Sequence, residues 1–277
     1  MKLITAFRLG RVSNLPTIFS NVLVGSLLTG QALNLGLFFI LLLALSLVYT
    51  GGMFLNDAFD VDYDRVNQPN RPICQGEVKR KEVFVLGFIL ITLANFLIAL
   101  YASNLYVVLA MFILSLLVVF YNWYHKSNSW SAYVMAICRA LIYIVSGLMM
   151  SDVWTIEQSY VAVVLALWVI GLTSFAKGLV LRNYIFFLFI SISLLFVYTI
   201  DINPIILLSI MMVVVMLVFW HLNQYQKYER GITSLLIADI SLLDTWVVLC
   251  ISMEAYAFFT LSAFGLTRYL QKYISGD

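Results

Sequence analysis

Apolar runs of about twenty residues recur along the whole chain, and that length settles its class. A hydrocarbon core ~30 Å thick is crossed by a helix of ~20 apolar residues. The runs show none of the period-two alternation that a membrane barrel needs. Of 277 residues, 63% are hydrophobic and 11% charged, against ~25% charged in ordinary soluble domains. No water-soluble core of this size could hide so much apolar surface. The expected architecture is all-α, a polytopic integral membrane protein with about nine transmembrane helices in one bundle. Segmenting on crossing length places them near Leu15–Leu33, Leu35–Asn56, Val83–Tyr101, Leu105–Trp123, Ala132–Met150, Tyr160–Ala176, Tyr184–Thr199, Pro204–Leu222 and Leu236–Phe264. The last is too long for one simple crossing and reads as a bent helix preceded by a surface segment around Ser234–Asp239. With no linker or low-complexity tract, residues 1–277 are taken as a single domain.

Lys and Arg fix the expected orientation. Lys2, Arg8 and Arg11 precede the first helix, and Arg65, Arg71, Lys79, Arg80 and Lys81 lie between the second and third. Lys126, Lys177, Arg182, Lys227 and Arg230 follow the fourth, sixth and eighth, which makes thirteen of the sixteen basic residues on one side. Arg268 and Lys272 are expected opposite, and Arg139 lies within a helix. Positive residues stay in the cytosol, so the N-terminus is expected to be cytoplasmic (the inner membrane, for a bacterial chain). The stretch Ile18–Thr29 resembles a signal peptide superficially, but Asn14, Pro16 and Asn21 interrupt it and an uncleaved first helix fits better. A net charge of +2 gives no broad basic field for nucleic acid. Cys74, Cys138 and Cys250 are widely spaced and lack the pairing a zinc site needs.

The second helix runs out through Asn56-Asp57-Ala-Phe-Asp60-Val-Asp62-Tyr-Asp64-Arg65. Asn56, Asp60 and Asp64 are four apart, so successive members sit about 40° apart on a helix surface and their oxygens share one side. That spacing suits Mg²⁺, which takes one or two carboxylates and completes its shell with water and substrate phosphates. An EF-hand loop fails, because Arg65 stands where glycine is required and Arg71 where the bidentate Glu belongs. A merely solvated acidic loop must tolerate four Asp within nine residues with no shared cation. A transporter pathway would spread its carboxylates at membrane depth, whereas these cluster at a helix exit. Arg71, in a loop shaped by two prolines and a glycine, is a candidate for the outer oxygens of a diphosphate. Lys79, Arg80 and Lys81 read as surface anchors.

The pattern Asn56-Asp57-x-x-Asp60-x-x-x-Asp64, followed by Arg71-Pro72-Ile-x-x-Gly76, resembles the first aspartate-rich motif of the UbiA superfamily of intramembrane prenyltransferases. Arg11-x-x-Asn14-Leu-Pro-Thr, Tyr121-Asn-x-x-His125-Lys126 and Cys138-Arg139-Ala-Leu-x-Tyr143 look like that family too. The resemblance implies a helical bundle around a cavity open to lipid. A polyprenyl diphosphate would bind there through Mg²⁺, lose its diphosphate and alkylate a lipophilic or aromatic acceptor. On this reading Asn56, Asp60 and Asp64 hold the metal, and Asn14, Arg71 and Lys126 bind substrate. Asp60, Asp64 and Lys177 carry the catalysis.

The chain departs from the family at the end of the sixth helix. A second acidic motif is expected there, but Gly171-Leu-Thr-Ser-Phe-Ala-Lys177-Gly178 holds no carboxylate. Lys177 falls where the family carries a cation. This departure keeps open a catalytically impaired protein that binds or moves an isoprenoid or lipid phosphate. Arg139, about two turns into the fifth helix, is a substrate-binding candidate that could instead pair with Asp239 or Asp244. Asp244 is itself a candidate for lining the site. His125 and His221 read as isolated interface residues, and Tyr63, Tyr121, Trp123 and Tyr143 as aromatic candidates to face a prenyl cation or to anchor the membrane interface.

Overall fold

The computed structural model describes residues 1–126, 130–151, 154–176, 190–191, 194 and 232–276, and every regular element among them is helical. A short α1 (Leu3–Leu9) leads through a left-handed residue, Arg11 (φ 42°), and a 3-10 turn (Val12–Asn14) into α2 (Leu15–Leu27). There follow α3 (Leu35–Phe59), α4 (Val61–Asn67), α5 (Arg80–Tyr101), α6 (Leu105–Tyr124), α7 (Ser131–Met150) and α8 (Ile156–Ala176). The chain is described again at α9 (Ile232–Ala238), α10 (Ile240–Cys250) and α11 (Glu254–Leu270).

Local chemistry sets the helix ends. Pro16 sits in the first turn of α2, where its missing N–H has no intrahelical partner to lose. The side chains of Asn34 and Asn104 accept hydrogen bonds from the Leu37 and Val107 N–H groups at 3.2 Å, capping α3 and α6. Gly30, at φ 66°, turns the chain after α2 and ends that helix short of Leu33.

Six of the described helical stretches are long and apolar enough to cross a membrane, alongside the shorter Val12–Leu27. The outward faces of α5 and α6 leave Phe88, Phe96, Phe112 and Leu116 exposed, a surface that lipid covers. The expected spans Tyr184–Thr199 and Pro204–Leu222 lie outside the described residues.

The long final span is corrected. Leu236–Phe264 is not one bent crossing but two antiparallel helices, α10 and α11, joined at Ile251–Met253 with Ser252 left-handed at φ 56°. Gln271, just past α11, donates to the backbone oxygen of Ser234 at 2.7 Å and to Asn14 Oδ1 at 3.1 Å. Both ends of the hairpin therefore lie beside the start of α2. Arg268 and Lys272 accordingly stand at the same end as Arg11, not opposite it. Hydropathy missed the turn because Ser252 and Glu254 interrupt the apolar run only briefly.

Lipid tails are as apolar as leucine, so helices in a bilayer associate through close packing and not through escape from water. Glycines supply that approach. A Cβ on Gly51 would lie 2.8 Å from the Gly87 carbonyl of α5, and one on Gly25 would lie 2.8 Å from Tyr143 Cα of α7. Neither backbone atom can be displaced cheaply. Gly25→Ala is expected to destabilise the bundle by about 1–3 kcal/mol, the usual cost of overpacking. A lowered melting midpoint in detergent checks this.

Candidate active site

The last turn of α3, the joint residue Asp60 and α4 build the polar end of the site. Although α3 formally ends at Phe59, the Asp60 N–H bonds to the Asn56 carbonyl at 3.0 Å and the Asp64 N–H to the Asp60 carbonyl at 2.8 Å. The helical path therefore continues through the joint, and Asn56, Asp60 and Asp64 keep the register expected of them. Asn56, Asp57, Asp60 and Asp64 are all at least nine-tenths buried. Burying so many polar groups is costly unless each finds a partner.

Cations from three other segments supply most of those partners. Lys126 Nζ approaches Asp60 Oδ2 at 3.2 Å and lies 3.9 Å from the centre of the Tyr63 ring. His125 Nε2 reaches the same carboxylate oxygen at 3.3 Å while its ring stacks on Tyr121. Burial pushes Asp60 up, but the hydrogen bond and charge of His125 and the charge of Lys126 outweigh it and hold the carboxyl below its ordinary range. The isolated reading of His125 is thus corrected, since it stands against one of the three expected metal ligands.

Asp57, which the spacing argument passed over, is the hub of the cluster. Its Oδ1 accepts from Arg11 at 3.1 Å and from Arg71 at 3.0 Å. Arg11 reaches this position from its left-handed backbone and also donates to Asn56 Oδ1 at 3.1 Å. Such strain is characteristic of functional sites. Asn56 Nδ2 in turn donates to Asn122 Oδ1 at 3.1 Å, and Asn122 to the Gly52 carbonyl at 2.9 Å. Four segments, the Arg11 turn, α3, the Arg71 loop and α6, thereby meet within hydrogen-bonding distance.

Two of the carboxylates keep oxygens without partners. Asp57 Oδ2 is buried with no hydrogen bond, and the Asp64 side chain, 3% exposed, has no hydrogen bond or ion pair among the described residues. Burial raises the Asp64 carboxyl above its ordinary range; Arg71 opposes this, and the neighbouring Asp60 and Asp57 charges add to it. No group of three or more His, Cys, Asp or Glu side chains closes on one point among the described residues. Two carboxylates and the Asn56 amide nevertheless fit Mg²⁺, whose shell is completed by phosphates and water. A divalent ion would satisfy the buried oxygens that the protein leaves bare.

Beside this cluster lies a cavity of about 210 Å³. Its polar wall carries Arg11, Asn14, Tyr49, Asn122 and Arg139, and Ile18, Leu45, Val48, Leu114 and Ile142 line the apolar part. Among the described residues the lining holds two guanidinium groups and no carboxylate. Arg11 belongs both to this wall and to the carboxylate cluster, so it joins the two.

Asn14 and Arg139 are therefore at the cavity, and Arg71 and Lys126 at the carboxylates. Asp244 is not in the lining. It is fully buried behind it, where it accepts from Asn21 Nδ2 at 2.8 Å and from the Tyr143 hydroxyl. Asn21 Oδ1 takes a hydrogen bond from Arg139 at 2.9 Å, so one amide bridges the two buried charges. The sequence did carry a signal for this, because Asn14, Thr17 and Asn21 repeat at helical spacing on one face of α2. Tyr143 serves this network and Trp123 is two-thirds exposed, which leaves Tyr121 as the expected aromatic on the cavity wall. Lys177 and His221 lie outside the described residues.

At the outer edge, Glu77 accepts from Thr5 Oγ1 and from Arg8 Nη1, both at 2.7 Å, and fastens α1 over the loop that carries Arg71. The Thr5 hydrogen bond, followed by that of Arg8, holds the Glu77 carboxyl below its ordinary range against the effect of burial. That tie is present above the ordinary carboxylate range and is lost as pH falls through the lowered value. Glu77→Ala is expected to raise amide exchange over residues 3–9 and 70–77 at neutral pH, while exchange in α5–α7 stays as it was.

The model of the UbiA prenyltransferase family matches residues 18–178. The digeranylgeranylglyceryl phosphate synthase of Sulfurisphaera tokodaii is 32% identical over 87 residues, 31% of this chain and 29% of that protein. Its counterpart from Pyrococcus horikoshii is 46% identical over 50 residues, 17% of this chain and 18% of that one. The matched region spans less than a third of either relative's length. A UbiA homologue from Archaeoglobus fulgidus, solved bound to GPP and Mg²⁺, superposes with a TM-score of 0.65 at 14% identity, covering 91% of this chain and 99% of that one. At that identity the likeness is one of fold.

Proposed function

Since the chain belongs to the UbiA prenyltransferase family, we propose that it moves a prenyl group from its diphosphate onto a glyceryl phosphate acceptor, with Mg²⁺ on the departing diphosphate. One observation carries the choice of acceptor: among the described residues the cavity wall presents Arg11 and Arg139 and no carboxylate. An anionic headgroup fits that wall, because guanidinium matches phosphate with paired donors. The names of the synthases quoted above support the same acceptor chemistry.

Asn56, Asp60 and Asp64 would hold the metal, which when bound takes up charge developing on the leaving diphosphate. Asp57 keeps the guanidiniums of Arg11 and Arg71 on the carboxylate cluster, and Lys126 adds a third cation at Asp60. These charges stand ready before any bond breaks, so little reorganisation opposes the reaction. The C1–O bond of the donor breaks with its electron pair leaving on the diphosphate. The apolar wall around Ile18, Leu45 and Leu114 then holds the allylic cation away from water until the acceptor oxygen attacks and releases its proton. Clustering of Lys and Arg at this end supports a site on the cytoplasmic face.

The test supplies purified protein with geranylgeranyl diphosphate, Mg²⁺ and one of two acceptors, geranylgeranylglyceryl phosphate or 4-hydroxybenzoate. Transfer to the glyceryl phosphate alone is expected. Transfer only to the aromatic acid would overturn the acceptor, and binding of the donor without any transfer would favour a lipid-phosphate carrier.

A further inference from the structure

Beyond α11 the chain returns to the cavity. Gly276 is part of its wall, and the Gly276 carbonyl accepts from Asn14 Nδ2 at 2.7 Å. The rest of that amide is also taken. Asn14 Nδ2 donates to the Tyr49 hydroxyl at 3.1 Å, and Asn14 Oδ1 accepts from Gln271 Nε2 at 3.1 Å. Gln271 Nε2 is shared with the Ser234 carbonyl at 2.7 Å, and its Oε1 accepts from Arg268 at 2.8 Å. Ile274 and Gly276 are buried while Lys272, Tyr273 and Ser275 are exposed, so the segment has an inner and an outer face. The packing at the inner end is close: a Cβ on Gly276 would lie 2.7 Å from Asn14 Oδ1 and 3.0 Å from Gln271 Nε2, so a side chain there would displace the two amides that seat the segment.

We propose that residues 271–276, seated on Asn14 through Gln271 and Gly276, form the wall that excludes water from the reacting allylic carbon. This rests on the prenyl transfer argued above. The segment lies at the same end of the bundle as Arg11 and Arg268, with Lys272, Tyr273 and Ser275 on its outer face and Gly276 on the cavity wall. Once the C1–O bond has broken, water competes with the acceptor for C1. Its attack forms a new C–O bond, loses a proton to solvent, and gives the free prenyl alcohol and diphosphate. Gln271 and Gly276 touch neither reactant here. They act through Asn14 and by closing the wall, which makes them positioning residues.

The partition between the two products is the readout, since a purely structural role would lower both together. Protein is supplied with geranylgeranyl diphosphate, geranylgeranylglyceryl phosphate and Mg²⁺, and geranylgeraniol is measured against transferred product. Four variants are compared: a stop after Leu270, Gln271→Ala, Gly276→Ala, and Lys272→Ala as the exposed control, each checked for an intact melting transition. The alcohol fraction is expected to rise at least tenfold in Gln271→Ala and Gly276→Ala, and to stay at the parental value in Lys272→Ala. The two point variants decide the matter if the truncated chain does not fold. Folded Gln271→Ala and Gly276→Ala with a parental alcohol fraction would overturn the inference while leaving prenyl transfer intact. A parent protein that releases no diphosphate would overturn the function beneath it, and the inference with it.

Discussion

Asp64→Asn is expected to cut Mg²⁺-dependent diphosphate release at least ~10²-fold while leaving the protein as stable as the parent, or more so. Loss of one metal-holding carboxylate removes several kcal/mol of charge stabilisation at the leaving group, and about 3 kcal/mol corresponds to ~10²-fold in rate. The stability half of the expectation comes from the environment of this side chain. Asp64 is buried without a hydrogen bond, and burial together with the Asp60 and Asp57 charges raises its carboxyl against the pull of Arg71 and Lys126. A carboxyl raised in the folded state destabilises the fold progressively as pH climbs from its unfolded value through the folded one. A neutral, nearly isosteric amide removes that burden. Without Mg²⁺ the parent should therefore melt at or below the variant at neutral pH, and added Mg²⁺ should raise the melting midpoint of the parent more than that of the variant. Equal activity in the two proteins would remove Asp64 from the site.

Asp244→Ala is expected to be the most damaging single change to the fold, at about 2–6 kcal/mol, since it leaves two buried donors without an acceptor at about 1–3 kcal/mol each. Asp244 is fully buried and Arg139 is 8% exposed, and they are linked through the Asn21 amide and flanked by Tyr143. Truncating Asp244 leaves Asn21 Nδ2 and the Tyr143 hydroxyl without an acceptor and removes the carboxylate that Asn21 links to Arg139. Exchanging both charges for apolar residues, as Arg139→Met with Asp244→Leu, is expected to restore most of the melting transition. Turnover should stay low in that double variant, because Arg139 is also one of the two guanidiniums on the cavity wall. Restored melting together with restored activity would show that Arg139 is structural only.

How much of this could be read from residues alone follows from the range of each interaction. Local signals carried well. The apolar runs gave α3, α5, α6, α7 and α8 within a few residues, and the four-residue spacing of Asn56, Asp60 and Asp64 survived the joint at Asp60 because backbone hydrogen bonds continue across it. The turn at Ile251–Met253 was invisible, since it breaks the helix without breaking the hydropathy. Long-range pairings were also out of reach. Asp57 differs from its acidic neighbours only in that Arg11 and Arg71 converge on it from 46 and 14 residues away. His125 looked isolated because its partner, Asp60, belongs to another helix. Nothing in Gln271 or Gly276 suggests a cavity wall until the chain is folded back onto Asn14.

The most direct measurement of the central claim is diphosphate release from geranylgeranyl diphosphate by the purified protein, with Mg²⁺ and with the metal chelated. Release that requires Mg²⁺ and is lost in Asp60→Asn and Asp64→Asn is the expected result. Release at the same rate without Mg²⁺, or at the parental rate in both variants, would contradict a metal–diphosphate site at Asn56, Asp60 and Asp64.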